Sequence, residues 1–440
     1  MTAAAHRGSA SRLLGAGDKG LPADAAGLTV AEFLARKPSL TDLWTPLLVI
    51  DDGALDDNIA FLAGWVAERG LELMPHGKTT MAPQLWWRQL DAGATGITVA
   101  TPSQLRVAVD AGIPAVMLAN QLVQPDAIRW TAAAVAAGTR VWSWVDDVAG
   151  IDAIEHALGD SAAQPLEVLV DVGRPGGRTG ARSLEAAVAV ARRAAASPAV
   201  RLAGVTGYEG AVAHGRDAEA LASARAYVDE LLAVHQALTP LYDGRDVLVS
   251  AGGSAYPDVV GAAFAAAGPT RREAPRNAPA VRGVGVGTVG GDRTRFVLRS
   301  GAYLVHDHGY YRQNSPFDGA GLRPAARGLA RVVSRLDAST AIVDAGKRDF
   351  PFDEGLPEPL YAIGAAGERM PLPGGVTTKL SDQHGFVRIA GDSPLGVGDL
   401  VVFGLSHPCT MFDKWRLVPV VDTLDDPLNA IVTDLVETRF

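Results

Sequence analysis

Residues 71–93 read LELMPHGKTTMAPQLWWRQLDAG, and this stretch decides the fold. LELM is a short β-rich run and APQLWWRQLDAG a helix-like one, and the glycine that ends it suits the position where a helix hands the chain to the next strand. Between the two stands Lys78, among His76, Gly77, Thr79 and Thr80. A lysine after a strand is ordinarily a solvated loop residue. In α/β proteins, however, the loops at the carboxyl ends of parallel strands enclose the ligand crevice.

Outward from this stretch the same beat repeats. LLVI (47–50) precedes ALDDNIAFLAGWVAER, GITVA (96–100) precedes PSQLRVAVDAG, AVMLA (115–119) precedes PDAIRWTAAAVAAG, and RVWSWV, LEVLVDV, RLAGVTG and DVLVSAGG continue the series. Eight strand–helix beats predict an α/β fold, a TIM-like (β/α)8 barrel over residues 45–320, with an open doubly wound sheet as the alternative. Residues 269–291 break the beat into a polar, Gly/Pro-punctuated stretch, read as a long loop with room for one strand outside the barrel core. Beyond Gly321 the helical beat stops. ARVVSRL, TAIVDAG, GFVRIAG, DLVVFGL and WRLVPVVDTLD predict a C-terminal antiparallel β domain over 321–440 that also pairs with N-terminal residues. Residues 1–44 read as a partly flexible N-terminal arm whose first twenty residues are disordered.

The 440 residues, 48% hydrophobic, suffice for one large domain and a smaller one. A net charge of −9 without a basic stripe makes nucleic acid and anionic membranes poor partners, and small molecules better ones. No apolar run approaches the roughly 18 residues of a membrane span and no secretory core opens the chain, so the expected location is cytoplasmic. The single cysteine, Cys409, excludes an intrachain disulfide and a four-cysteine zinc module.

Several strand ends carry polar groups. Asp171, Gly173, Arg174 and Arg178 follow LEVLV; Gly207, Tyr208 and Glu209 follow LAGVT; Gly252, Gly253 and Ser254 follow VLVSA, where backbone N–H groups and a hydroxyl at a helix start suit a phosphate. The G-x-G-x-x-G match at Gly285, Gly287 and Gly290 is not a dinucleotide fingerprint, because an Arg/Pro loop precedes it and GDRTRFVLRS follows. In the β domain His407 and Cys409 stand two apart, a spacing that on an extended segment turns both side chains the same way toward a metal. His306 and His308 share that spacing as a second metal candidate.

These motifs together resemble the fold-type III pyridoxal-phosphate enzymes, and within them the D-serine dehydratase and D-threonine aldolase group, also described as amino acid deaminases or alanine-racemase-like proteins. The resemblance runs from about Thr45 to the C-terminus through PHGKTTMAPQL, DVGRPGGRTG, GYEG, GGS, RSGAY, DQHG and HPC, in family order. It implies that Lys78 holds pyridoxal phosphate as a Schiff base and removes the substrate's α-proton, with a partly desolvated position near Arg178 sustaining its nucleophilicity. His76 would join the cofactor site. Arg178 would face the pyridine nitrogen as a poor proton donor, with Arg174 as the alternative because the match carries one extra residue. Tyr208 and Tyr303 would line the site, and Gly252, Gly253 and Ser254 would hold the phosphate. A homodimer is implied as well.

In that group, aldolases resemble His-x-Asp at the β-domain site and dehydratases His-x-Cys, which His407 and Cys409 match. A thiolate and an imidazole favour Zn²⁺, with Mn²⁺ the alternative. The expected activity is a pyridoxal-phosphate- and metal-dependent dehydratase that takes a D-3-hydroxy amino acid such as D-serine or D-threonine to a 2-oxo acid and ammonia. The alternatives are retro-aldol cleavage to glycine and an aldehyde, a racemase using Tyr310 or Tyr311 as a second acid/base, and a pyridoxal-phosphate carrier without turnover. Lys347, in IVDAGKRDF, is the rival lysine and is expected to be solvated.

Overall fold

A computed structural model describes residues 10–159, 164–268, 287–289 and 292–440. The chain divides into two compact units, one of Met1–Phe61, Thr79–Arg88 and Ala302–Phe440, the other of Leu62–Lys78 and Gln89–Gly301. In chain order the first ten strands are β1 (Leu47–Asp51), β2 (Glu72–Leu73), β3 (Ile97–Val99), β4 (Ala115–Gln121), β5 (Arg140–Val145), β6 (Leu166–Val172), β7 (Val200–Gly207), β8 (Val247–Ala251), β9 (Gly287–Val289) and β10 (Asp292–Leu298).

The second unit is the barrel. Its parallel strands run in the order β2-β10-β8-β7-β6-β5-β4-β3, and a parallel bridge between His76 and Thr98 brings the two ends of the sheet together. Met74, Met117, Trp142, Trp144, Leu169, Ala203, Leu248 and Val297 form a buried cluster drawn from strands all around the sheet. Such layered side chains make a barrel interior a packed core, which leaves the strand ends for chemistry. Every strand but β10 was legible as half of a strand–helix beat.

The beat that begins at LLVI is not part of the barrel. β1 pairs antiparallel with Ala326–Asp337 and parallel with Leu417–Val421, inside the ten-stranded sheet of the other unit. A central strand buried on both faces is a continuous apolar run in either setting, so the letters do not separate the two. The eighth barrel strand is β10, which pairs antiparallel with β9 and parallel with β2 and β8. Of the stretch read as a long loop, Gly287–Val289 is a strand; residues 269–286, 290 and 291, with the outer glycines of the G-x-G-x-x-G match, lie outside the described residues.

In the first unit the strands Arg369–Pro371, Glu358–Ile363, Leu400–Gly404, Ala326–Asp337, β1, Leu417–Val421 and Val432–Glu437 lie side by side. Leu14, Leu21, Val30, Phe33 and Leu40 join the core over this sheet, so order in the N-terminal arm begins before residue 20. The helix Val30–Ala35 starts on a capping box in which Thr29 and Glu32 satisfy each other's backbone N–H. Among the described residues no helix is long and apolar enough to cross a membrane.

Candidate active site

Lys78 lies in a single helical turn, Gly77–Thr79, directly after β2 at the carboxyl end of the barrel. Beside it, His76 donates its N–H to the Arg299 carbonyl at 3.1 Å and leaves Nδ1 buried without a hydrogen-bond partner among the described residues. Burial, with the positive charges of Lys78, Arg299 and Arg178, holds the imidazole well below its ordinary range, so His76 is neutral and weakly basic. Gly301 backs onto this histidine: a Cβ there would lie 2.5 Å from the His76 carbonyl oxygen, which only glycine avoids.

The loop after β6 is pinched shut by backbone bonds from Gly173 N–H to Ala181 O and from Ala181 N–H to Asp171 O. Arg182 ties it from outside, donating to the carbonyls of Arg174, Gly177, Arg178 and Thr179. Inside this loop the two candidate arginines part company. Arg174 is paired with Glu230 at 2.8 Å, whereas Arg178 stacks on the Tyr208 ring, 5.1 Å from its centroid. Tyr208 in turn lies against Gly253, where a Cβ would meet the ring at 2.7 Å. Arg178, Tyr208 and Gly253 are thus brought together, and Arg174 is committed elsewhere.

The Gly252–Gly253 turn receives an anion. Both N–H groups donate to the buried carboxylate of Glu209, at 3.1 and 2.6 Å, and the two carbonyls accept from Ser300 Oγ. Ser254 Oγ accepts from Gly301 N–H at 3.2 Å. Burial pushes the Glu209 carboxyl up even though these backbone donors favour its charged form. Both N–H groups are thus occupied by that carboxylate, and a phosphate using them would have to displace it. With the orphaned His76 nitrogen and the Lys78 and Arg178 cations, the barrel residues fit pyridoxal phosphate.

The sequence reading missed Arg299, at the end of β10. Only 4% exposed, it donates to Thr206 Oγ1 at 3.0 Å, Ser250 Oγ at 2.6 Å and Gly207 O at 2.5 Å, and lies 5.0 Å from the Trp144 ring centroid. An arginine straight after the apolar FVL was the available signal. Asp171 is a further buried group, accepting from Gln121 at 3.2 Å. Burial raises its pKa from 3.8 to about 6, against the hydrogen bond from Thr179. Because the folded state then binds the proton more tightly than the unfolded one, stability falls as pH rises from about 4 through about 6. Asp171→Asn is expected to remove that fall, gaining up to about 3 kcal/mol on the wild type between pH 4 and pH 7 in urea unfolding. Parallel pH profiles for the two proteins would contradict this.

Tyr303 belongs to the first unit, in the turn Ala302–Leu304, and is buried, which pushes its phenol up. In the same unit His407 and Cys409 do not lie on an extended segment. His407 has φ +51 and Cys409 follows in the turn Pro408–Thr410, so it is the bend, not a strand register, that sets the pair. His407 N–H donates to Asp307 Oδ2 at 3.0 Å, its Nδ1 pairs with Asp353 Oδ2 at 2.6 Å, and its ring is within hydrogen-bonding reach of Cys409. Burial alone would lower its pKa, but its hydrogen bonds with Cys409 and Asp353 and their electrostatic attraction outweigh it and raise it to about 9. Thr79 Oγ1, from the residue after Lys78, is 3.6 Å from Cys409 Sγ.

The other spaced pair is not assembled in this way. His306 Nε2 pairs with Asp318 at 2.8 Å, and His308 Nδ1 is buried without a partner among the described residues. Between them, Asp307 holds the N–H groups of Gly309, Tyr311 and His407. Among the described residues no three His, Cys, Asp or Glu side chains gather as a metal cluster. His407 and Cys409 therefore offer two ligands, an imidazole anchored through its other nitrogen and a thiol, a donor set that fits a soft divalent metal with open positions. Lys347 is exposed, its Nζ 5.5 Å from the Phe352 ring.

Two family profiles match the chain: an alanine racemase N-terminal domain over residues 50–256, taking in Lys78, Arg178, Tyr208 and Gly252–Ser254, and a serine dehydratase domain over 325–421, taking in Asp353, His407 and Cys409. The chain is 26% identical over 348 residues to D-threonine aldolase of Arthrobacter sp, across 78% of this chain and 80% of that one. It is 30% identical over 142 residues to D-threo-3-hydroxyaspartate dehydratase of Delftia sp. (strain HT23), across 32% of this chain and 37% of that one. The crystal structure of D-threonine aldolase from Filomicrobium marinum has the same fold, with a TM-score of 0.73 at 24% identity, covering 91% of this chain and 95% of that one. With the fold, the motif order and both profiles in agreement, the chain belongs to the fold-type III pyridoxal-phosphate enzymes of the D-serine dehydratase and D-threonine aldolase group, a family of lyases.

Proposed function

We propose that the protein is a pyridoxal-phosphate- and metal-dependent dehydratase that converts a D-3-hydroxy amino acid, such as D-serine or D-threonine, to a 2-oxo acid and ammonia. The observation that carries this reading is the His407–Cys409 pair anchored on Asp353, since dehydratases of the group resemble His-x-Cys and aldolases His-x-Asp. A thiolate with an imidazole favours Zn²⁺.

Pyridoxal phosphate, when bound, supplies the electron sink that acidifies the α-hydrogen, and a divalent metal, when bound, makes the β-hydroxyl a better leaving group. Lys78 would hold the cofactor and take the α-proton on Nζ. His76, kept neutral, adds no charge beside that lysine. Arg178, steadied on Tyr208, would fix the cofactor ring without delivering a proton, because a guanidinium stays charged. The Gly252–Ser254 turn would take the phosphate, and His407 and Cys409 the metal. Loss of the α-hydrogen and the β-hydroxyl amounts to one water, and hydrolysis of the released enamine gives the 2-oxo acid and ammonia.

A second reading, retro-aldol cleavage, is supported by the aldolase names of the Arthrobacter and Filomicrobium proteins. There the β-hydroxyl loses its proton and Cα–Cβ breaks. Cys409→Asp recreates the His-x-Asp pattern and separates the two. With D-threonine and either Zn²⁺ or Mn²⁺, the variant is expected to shift the product ratio toward glycine and acetaldehyde by on the order of tenfold, equal to about 1.4 kcal/mol between the two barriers. An unchanged ratio would show that Cys409 does not direct the reaction.

A further inference from the structure

We infer that Asp353 is the positioning residue of the metal pair: it holds His407 by Nδ1, so that Nε2 is the nitrogen offered beside the Cys409 sulfur. The inference rests on the dehydratase reading and names the residue that decides how well the pair retains its metal.

The backbone at His407 is fixed independently. A left-handed φ of +51 at a non-glycine residue is uncommon, the more so before a proline, and here the Asp307 hydrogen bond to its N–H holds it. None of this sets the ring, because the imidazole torsion is broad and needs a partner of its own. Asp353 Oδ2 supplies one at 2.6 Å. A carboxylate accepting from Nδ1–H selects the tautomer whose lone pair sits on Nε2.

The other carboxylate oxygen is equally occupied. Asp353 Oδ1 accepts from Thr410 Oγ1 at 2.6 Å, and Thr410 is the residue after Cys409. One side chain thus grips both ends of the His407–Thr410 segment. With both oxygens engaged by protein, Asp353 is built to orient a ligand and not to serve as a third one. On the sulfur side, Thr79 Oγ1 lies 3.6 Å from Sγ.

The test is a Co²⁺ titration of the full chain loaded with pyridoxal phosphate, read by thiolate-to-cobalt charge-transfer absorption. Wild type is expected to show the band and Cys409→Ala to lack it. Asp353→Ala is expected to bind Co²⁺ about 10- to 100-fold more weakly, while the visible absorption of the lysine-bound cofactor is unchanged. Asp353→Asn, which keeps an acceptor, should recover part of the affinity. If wild type itself shows no thiolate band, the metal reading fails and this inference with it. If wild type binds and Asp353→Ala binds equally well, the reading stands and this inference alone is overturned. Should Asp353→Ala not fold, Thr410→Val removes the bond to Oδ1, together with a longer one of 3.4 Å to the His407 carbonyl, and is expected to weaken Co²⁺ severalfold; equal affinity there overturns the inference too.

Discussion

Lys78→Ala is expected to abolish the visible absorption of the bound cofactor and to lower turnover by on the order of 10³-fold or more, since a positioned acid/base group alone contributes about 10²–10⁴. It is the one lysine in the sequence of its unit. His76 is next but one in the chain, yet burial and the surrounding cations leave it far too weak a base for a lysine's task. Lys347 is exposed and rests on Phe352, in the other unit. Borohydride reduction followed by peptide mapping checks the assignment: the pyridoxyl group is expected on the peptide containing Lys78, and an adduct on another lysine would refute it.

The second large effect is expected at Arg299. Its guanidinium is buried among Thr206, Ser250 and the Gly207 carbonyl, and its charge opposes those of Glu209 and Asp171. Truncation to Ala would leave those acceptors unpaired and two buried carboxylates without their cation. A buried acceptor left without its donor costs roughly 1–3 kcal/mol, so the three acceptors of Arg299 together come to about 3–5 kcal/mol, much more than the surface ion pairs of this chain. Arg299→Ala is therefore expected to lose about that much barrel stability at pH 7. The loss should shrink below about pH 6, where Asp171 takes up its proton. Arg299→Lys keeps the charge but not the planar fork and should fall between. Urea unfolding followed by barrel tryptophan fluorescence measures it, and a loss under about 1 kcal/mol would mean that the network repacks without the arginine.

Much of this was legible in the letters, and the exceptions have physical causes. The barrel showed because strand and helix periods differ and glycine marks the helix ends. β1 and β10 were exchanged, because LLVI is apolar on both faces wherever it sits and β10 follows the polar, Gly/Pro-punctuated letters of 269–291. Lys78, Arg178, Tyr208 and Ser254 stood at strand ends, where a polar residue after an apolar run is conspicuous. Arg299 stood there as well, but its value comes from hydroxyls on β7 and β8, separated from it by 93 and 49 positions. The same holds for Asp353, which lies 54 residues before His407. In the HDH stretch the histidines drew attention, whereas Asp307 between them is the residue tied to His407. Contacts that only folding creates leave no spacing to read.

The proposal that this family member eliminates water is tested most directly by its products. Purified protein with pyridoxal phosphate, Zn²⁺ and D-threonine is expected to yield ammonia and 2-oxobutyrate in equal amounts. Glycine and acetaldehyde in their place would mean that Cα–Cβ is the bond that breaks, and would contradict the role given to Cys409.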